Sequence, residues 1–89
     1  MRDITEIWER IKAHQHEEFV TKRGLSFTYE VRGNRLVTDR PSEYPIQATE
    51  FEKALAVMPV PGPGRLRHLR GPSYIWAILH DPRIRGNDW

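Results

Sequence analysis

Between Glu18 and Arg40 the chain alternates. Leu25, Phe27, Tyr29 and Val31 are apolar, while Ser26, Thr28, Glu30 and Arg32 beside them are polar. A period of two sends successive side chains to opposite faces of a strand, so this stretch predicts one apolar face and one wet face. Gly24 precedes the run and Gly33-Asn34 ends it, followed by Arg35-Leu36-Val37-Thr38. Gly and Asn both tolerate the positive φ that a two-residue hairpin turn requires. The pattern predicts a three-stranded antiparallel meander.

Elsewhere the period lengthens. Ile4, Ile7, Trp8 and Ile11 fall at i, i+3, i+4 and i+7, one face of a helix that Asp3 caps with Glu6 as capping-box partner. Glu6 and Arg10 are an i,i+4 pair worth about 0.2–0.5 kcal/mol, and the helix is expected to end near His14. Phe51, Ala54, Leu55 and Met58 mark the buried side of a second helix, capped by Thr49 with Glu52 and stopped by Pro59. Tyr74 to Leu79 is apolar nearly all round, which predicts a buried third helix capped by Ser73 and ended by Asp81-Pro82.

Two connections separate these elements. Asp39 to Gln47 reads DRPSEYPIQ, and its prolines bar helix and central strand. A surface connection pinned by Tyr44 or Ile46 is expected. Met58 to Gly64 reads MPVPGPG, a stiff extended crossover. The basic piece RLRHLRG follows, and Ile84 and Trp89 are candidate anchors for the polar tail. The expected fold is a single α+β domain over residues 1–89, a three-stranded antiparallel meander packed on two to three helices in the order α-β-β-β-α-α. Its expected core is Ile4, Ile7, Trp8, Ile11, Leu25, Phe27, Tyr29, Leu36, Phe51, Leu55, Ile75, Ile78 and Leu79.

Composition narrows the function classes. The 89 residues are 38% hydrophobic and 29% charged, in the range of a folded domain rather than a disordered chain. With no cysteine, disulfides and thiolate metal sites are excluded. The N-terminal MRDITEIWER carries charges where a secretory leader needs an apolar run, and no apolar stretch is long enough to span a bilayer. A cytoplasmic protein with no membrane partner is the expectation. The net charge of +2 is unevenly placed: residues 1–58 hold nine Lys/Arg and ten Asp/Glu, whereas residues 59–89 hold five arginines and two aspartates.

The order αβββα is also that of the double-stranded-RNA-binding domain. In that family a lysine cluster opens the last helix; here the same place reads Thr49-Glu50-Phe51-Glu52-Lys53. The analogy is one of element order alone. The pattern Thr21-x-x-Gly24-x-x-Phe27-x-Tyr29, with the helix from Ser73 to Leu79, resembles small bacterial proteins, a resemblance that implies no activity.

Catalytic constellations are not met. His14 and His16 lack a specified third ligand, and zinc needs three or four. His80-Asp81 stands at a helix end before Pro82, as a cap would. No nucleophile set or phosphate-cradling glycine loop is present, so a non-enzymatic protein without cofactor or metal is expected. The candidate chemistry is cationic. Arg32, Arg35 and Arg40 lie at strand ends, and Arg65, Arg67, His68 and Arg70 form the densest positive cluster. Arginine presents a planar fork that suits phosphate and guanine edges. The first expectation is a small nucleic-acid-binding domain of bacterial regulatory or defence type, with DNA foremost. The alternative is a protein-interaction module, an accessory or inhibitor protein. A continuous positive strip from Arg32 and Arg35 to Arg65–Arg70 favours the first; an exposed apolar patch around Tyr44, Val60 and Trp89 favours the second.

Overall fold

The computed structural model describes residues 3–40 and 45–89. In chain order its elements are α1 (Ile4–Ala13), β1 (Phe19–Val20), β2 (Ser26–Phe27), β3 (Tyr29–Arg32), β4 (Arg35–Thr38), β5 (Ile46–Gln47), α2 (Ala48–Leu55), a 3-10 turn (Pro63–Leu66), α3 (Pro72–His80) and the one-turn helix α4 (Pro82–Arg85). The α+β class holds, with antiparallel strands packed on helices.

The alternating run is one segment serving two ladders. Phe27 pairs with Phe19 in a two-stranded sheet, while Tyr29 pairs with Thr38 in a three-stranded sheet ordered β3-β4-β5. Thr28 is the joint. Its N–H donates to Asp39 Oδ1 at 3.1 Å and its carbonyl accepts from Asp39 N–H at 3.0 Å. Asp39 thereby satisfies the backbone where the strand changes partner. The expected meander is thus divided: the third strand of the larger sheet is Ile46–Gln47, in the stretch expected to be a connection, and Phe19–Val20 pairs only with Ser26–Phe27. It lies at an edge, directly after Pro45, where proline is tolerated. Ile46 is buried and pins the segment as expected; Tyr44 lies outside the described residues.

The Gly33-Asn34 turn is confirmed, with Arg32 opposite Arg35. Gly33 has φ +63° and Asn34 has negative φ, the pattern in which only the first central residue needs glycine. Trp8 Nε1–H donates to the Gly33 carbonyl at 3.2 Å, tying α1 to the hairpin tip. The outer edge of β3 is covered by the loop after α1: His16 N–H donates to Tyr29 O at 2.8 Å, and Val31 N–H to Gln15 Oε1 at 3.0 Å.

Asp3 caps α1 by accepting from Thr5 N–H at 2.9 Å. Glu6 does not close a capping box; it turns outward to Arg10 at 3.1 Å. Thr49 does not cap α2. The helix begins at Ala48 directly out of β5, and Ala48 N–H donates to Asn34 O at 2.8 Å instead. Nor does Ser73 cap α3, which starts at Pro72, two residues before the Tyr74 that a Ser73 cap implies, after Gly71 in the left-handed region. A Cβ at Gly71 would stand 2.7 Å from Ile46 Cδ1, so glycine permits both the turn and the approach to β5. Asp81 ends α3 and caps α4, accepting from Arg83 N–H at 2.9 Å.

One core joins the layers. All six residues from Tyr74 to Leu79 are buried, and around them pack Ile7, Trp8, Ile11, Phe27, Tyr29, Leu36, Phe51 and Leu55. Ile4 is only partly buried, and Leu25, expected inside, is 45% exposed. The strand begins at Ser26, so Leu25 belongs to the preceding turn and escapes the alternation. Phe19, Ile46, Leu66, Leu69, Trp76 and Ile84 join the core beyond the expected set. Among the described residues, no helix is long and apolar enough to cross a membrane.

Candidate nucleic-acid interface

The β1–β2 connection is a tight loop. Thr21 N–H donates to Leu25 O at 2.9 Å, Gly24 N–H to Thr21 O at 2.9 Å and Leu25 N–H to Thr21 Oγ1 at 3.1 Å. Gly24 supplies the positive φ, +89°. This closure puts Lys22 and Arg23 at the loop tip, both exposed.

The proline-rich crossover runs past that tip. Trp76 Nε1–H donates to Val60 O at 3.0 Å, and Lys22 Nζ donates to Pro61 O at 2.7 Å while standing 5.7 Å from the Trp76 ring centroid. Two buried leucines hold the basic piece from beneath: Leu66 is fully buried and Leu69 nearly so, whereas Arg65, Arg67, His68 and Arg70 around them are exposed. The spacing i, i+3 of the two leucines predicts this alternation of inward and outward residues.

Two open depressions flank Lys22. One is lined by Lys22, Arg23, Leu25, Pro63, Ser73 and Tyr74 among others, the other by Lys22, Pro61, Gly62, Gly64, Arg65 and Arg67. Among the described residues no carboxylate lines either. Lys22, Arg23, Arg65 and Arg67 form no ion pair among the described residues, whereas Arg10, Lys12, Arg32, Lys53 and Arg83 each meet a carboxylate.

The seven cationic residues singled out from the sequence divide accordingly. Arg65, Arg67, His68 and Arg70 stay together on the crossover. Arg32 and Arg35 stand at the Gly33-Asn34 end of β3–β4, where Arg32 is held by Glu30 at 2.5 Å. Arg40, just past the other end of β4, donates to Ser26 O at 2.6 Å. Glu30 thus neutralises Arg32, while the exposed Arg35 opposite it meets no carboxylate among the described residues. Lys22 and Arg23 complete the crossover face; their signal was the short loop around Gly24, but only folding sets that loop against residues 61–67.

Among the described residues, the second face named from the sequence does not form as an exposed apolar patch. Val60 and Trp89 are partly buried against the core, and Trp89 Nε1–H donates to Leu79 O at 2.9 Å. Tyr44 lies outside the described residues. His14 Nδ1 lies 3.1 Å from a Glu17 carboxylate oxygen. Among the described residues no group of three His, Asp or Glu is placed to hold a metal ion. Comparison with protein families, with curated proteins and with solved structures finds no match.

Proposed function

We propose that this protein binds nucleic acid through the face formed by Lys22, Arg23, Arg65 and Arg67, without catalysing a reaction. The observation that carries the reading is the pairing pattern: these four cations converge on adjoining depressions with no carboxylate among the described lining residues, while Arg10, Lys12, Arg32, Lys53 and Arg83 elsewhere each meet a carboxylate. Lys and Arg without a carboxylate over a concave surface attract a polyphosphate and release its counterions. The crossover is held rigid by Leu66, Leu69 and the Trp76–Val60 bond, so binding requires little ordering of the protein.

A second reading has an observation of its own. Between α1 and α2 lies a depression with Ile4, Ile7 and Leu55 in its lining and Asp3 and Glu52 beside them, its other two carboxylates, Glu6 and Asp88, being paired with Arg10. The apolar surface, with Glu52 unpaired among the described residues, suits a basic protein segment. A fluorescence-anisotropy titration against labelled oligonucleotides over a range of salt concentrations separates the two. The variant carrying Arg23→Gln, Arg65→Gln and Arg67→Gln should bind more weakly, and its log–log salt slope should be shallower by about 0.7–0.9 for each phosphate it no longer neutralises. Absence of salt-dependent binding by the wild type would reject this reading and favour the acidic depression.

A further inference from the structure

Resting on that reading, the geometry points to a more specific ligand: single-stranded nucleic acid, with one unstacked base seated against Leu25 and Pro63 and the neighbouring phosphate held by Arg65 and Arg67. A regular duplex offers a convex cylinder whose bases are stacked inside; protein elements reach those bases by projecting into a groove. α3, whose first turn borders the site, is buried from Tyr74 to Leu79. The surface instead is two adjoining hollows that share Lys22.

The hollows differ in chemistry, and the difference matches the two parts of a nucleotide. The one beside Gly64 is bounded by Lys22, Arg65 and Arg67, and Gly64 is exposed with nothing within 4 Å of where a Cβ would stand, which lets a phosphate come close there; Gly62 is covered by the Lys22 side chain. The other has Leu25, 45% exposed, beside the partly buried Pro63, with the exposed Ser73 on its rim. Leu25 is an exposed large apolar side chain on a cationic face, where a polyanion's backbone alone gives it nothing to pack against. A base offers an apolar π-face to Leu25 and polar edges to the Ser73 hydroxyl, while its own backbone carries the charge that Lys22 and Arg23 meet. That complementarity of charge and apolar surface within one nucleotide selects a single strand over a duplex or an acidic peptide.

The test compares labelled single-stranded oligonucleotides with duplexes of the same sequence and length, in DNA and RNA form, by anisotropy at fixed salt. Single strands are expected to bind about tenfold or more tightly than duplexes, because base contacts add to the shared phosphate contacts. Leu25→Ser should weaken single-strand binding about threefold to tenfold and leave duplex binding and the salt slope unchanged, since it removes an apolar surface and no charge. Leu25 is exposed, so the variant should melt with the wild type. Duplexes bound as tightly as single strands, or single-strand binding unaltered in Leu25→Ser, would overturn this inference and leave polyanion binding standing. No salt-dependent binding of either form would overturn both.

Discussion

On the face built by α1, α4 and the Glu17–Phe19 segment, cations end on acceptors. Arg10 reaches Glu6 at 3.1 Å, Asp88 at 2.7 Å and the Ile84 carbonyl at 2.9 Å. Arg83 reaches Asp81 at 2.9 Å, Glu17 at 3.0 Å and the Glu18 carbonyl at 2.8 Å, with its guanidinium 3.8 Å from the Phe19 ring centroid. On the crossover face Arg65 and Arg67 have the same side chain and, among the described residues, no carboxylate partner. The first set clamps distant parts of the chain together, with Arg83 linking α4 to residues 65 positions earlier. The second leaves its hydrogen-bonding capacity open to a ligand. The arginine fork is equal in both places; what differs is whether folding delivers a carboxylate to it.

The sharpest way to break the contrast is to remove the support beneath the open face. Leu66→Ala should cost about 2–5 kcal/mol, because Leu66 is fully buried and its truncation leaves a cavity under the crossover. Urea unfolding would check this, and a loss below about 0.5 kcal/mol, as for an ordinary surface change, would mean that the crossover is not anchored there.

The clamping face should be more costly to disarm than the open one. Arg83→Gln removes hydrogen bonds to two carboxylates and a carbonyl; with partial solvent access, about 1–2 kcal/mol should be lost. Arg65→Gln and Arg67→Gln should each stay within about 0.5 kcal/mol of wild type. Equal costs in thermal or urea unfolding would erase the distinction.

The smallest effect is in the pH dependence. Asp81 and Glu17 are held below the usual carboxylate range, Asp81 chiefly by its bond to Arg83 and Glu17 chiefly by His14 and then Arg83. His80 is held below its usual value, first by burial and then by the charges of Arg85 and Lys22. In each case the unfolded chain binds a proton more readily than the folded one, so stability falls on acidification. The His80 contribution is fully present above about pH 6.5 and is lost as pH falls through its lower folded value. The carboxylate contribution is present above about pH 4 and fades below it. His80→Gln should flatten the change in melting temperature between about pH 7 and pH 5 while leaving the acid limb. An unchanged profile in that window would remove His80 as its source.

Much was legible where neighbours in sequence suffice. The α1 stripe of Ile7, Trp8 and Ile11 is buried, the Glu6–Arg10 pair forms, the Gly33-Asn34 turn falls in place, and the Tyr74–Leu79 helix lies inside. Leu66 and Leu69, three positions apart, face inward with cations around them. The misplacements share a cause. Thr49 and Ser73 look like caps by local chemistry, but β5 runs straight into α2, and Gly71 turns the chain into α3 two residues early. Leu25 fits the alternation but sits in the loop that Thr21 closes, so it faces solvent.

By itself the sequence determined the α+β class, the helical faces, one hairpin and the concentration of arginine in the last third of the chain. These follow from periodicity, turn chemistry and composition, which act over a few residues. Only the tertiary structure decided that Ser26–Arg32 divides between two ladders, that Ile46 supplies the third strand, and which cations are clamped and which are open. Those outcomes depend on groups far apart in the chain, such as Asp39 with Thr28, Asp88 with Arg10, or Lys22 with Pro61. A charged side chain takes its role from the partner that folding brings within hydrogen-bond reach, and no local pattern encodes that partner.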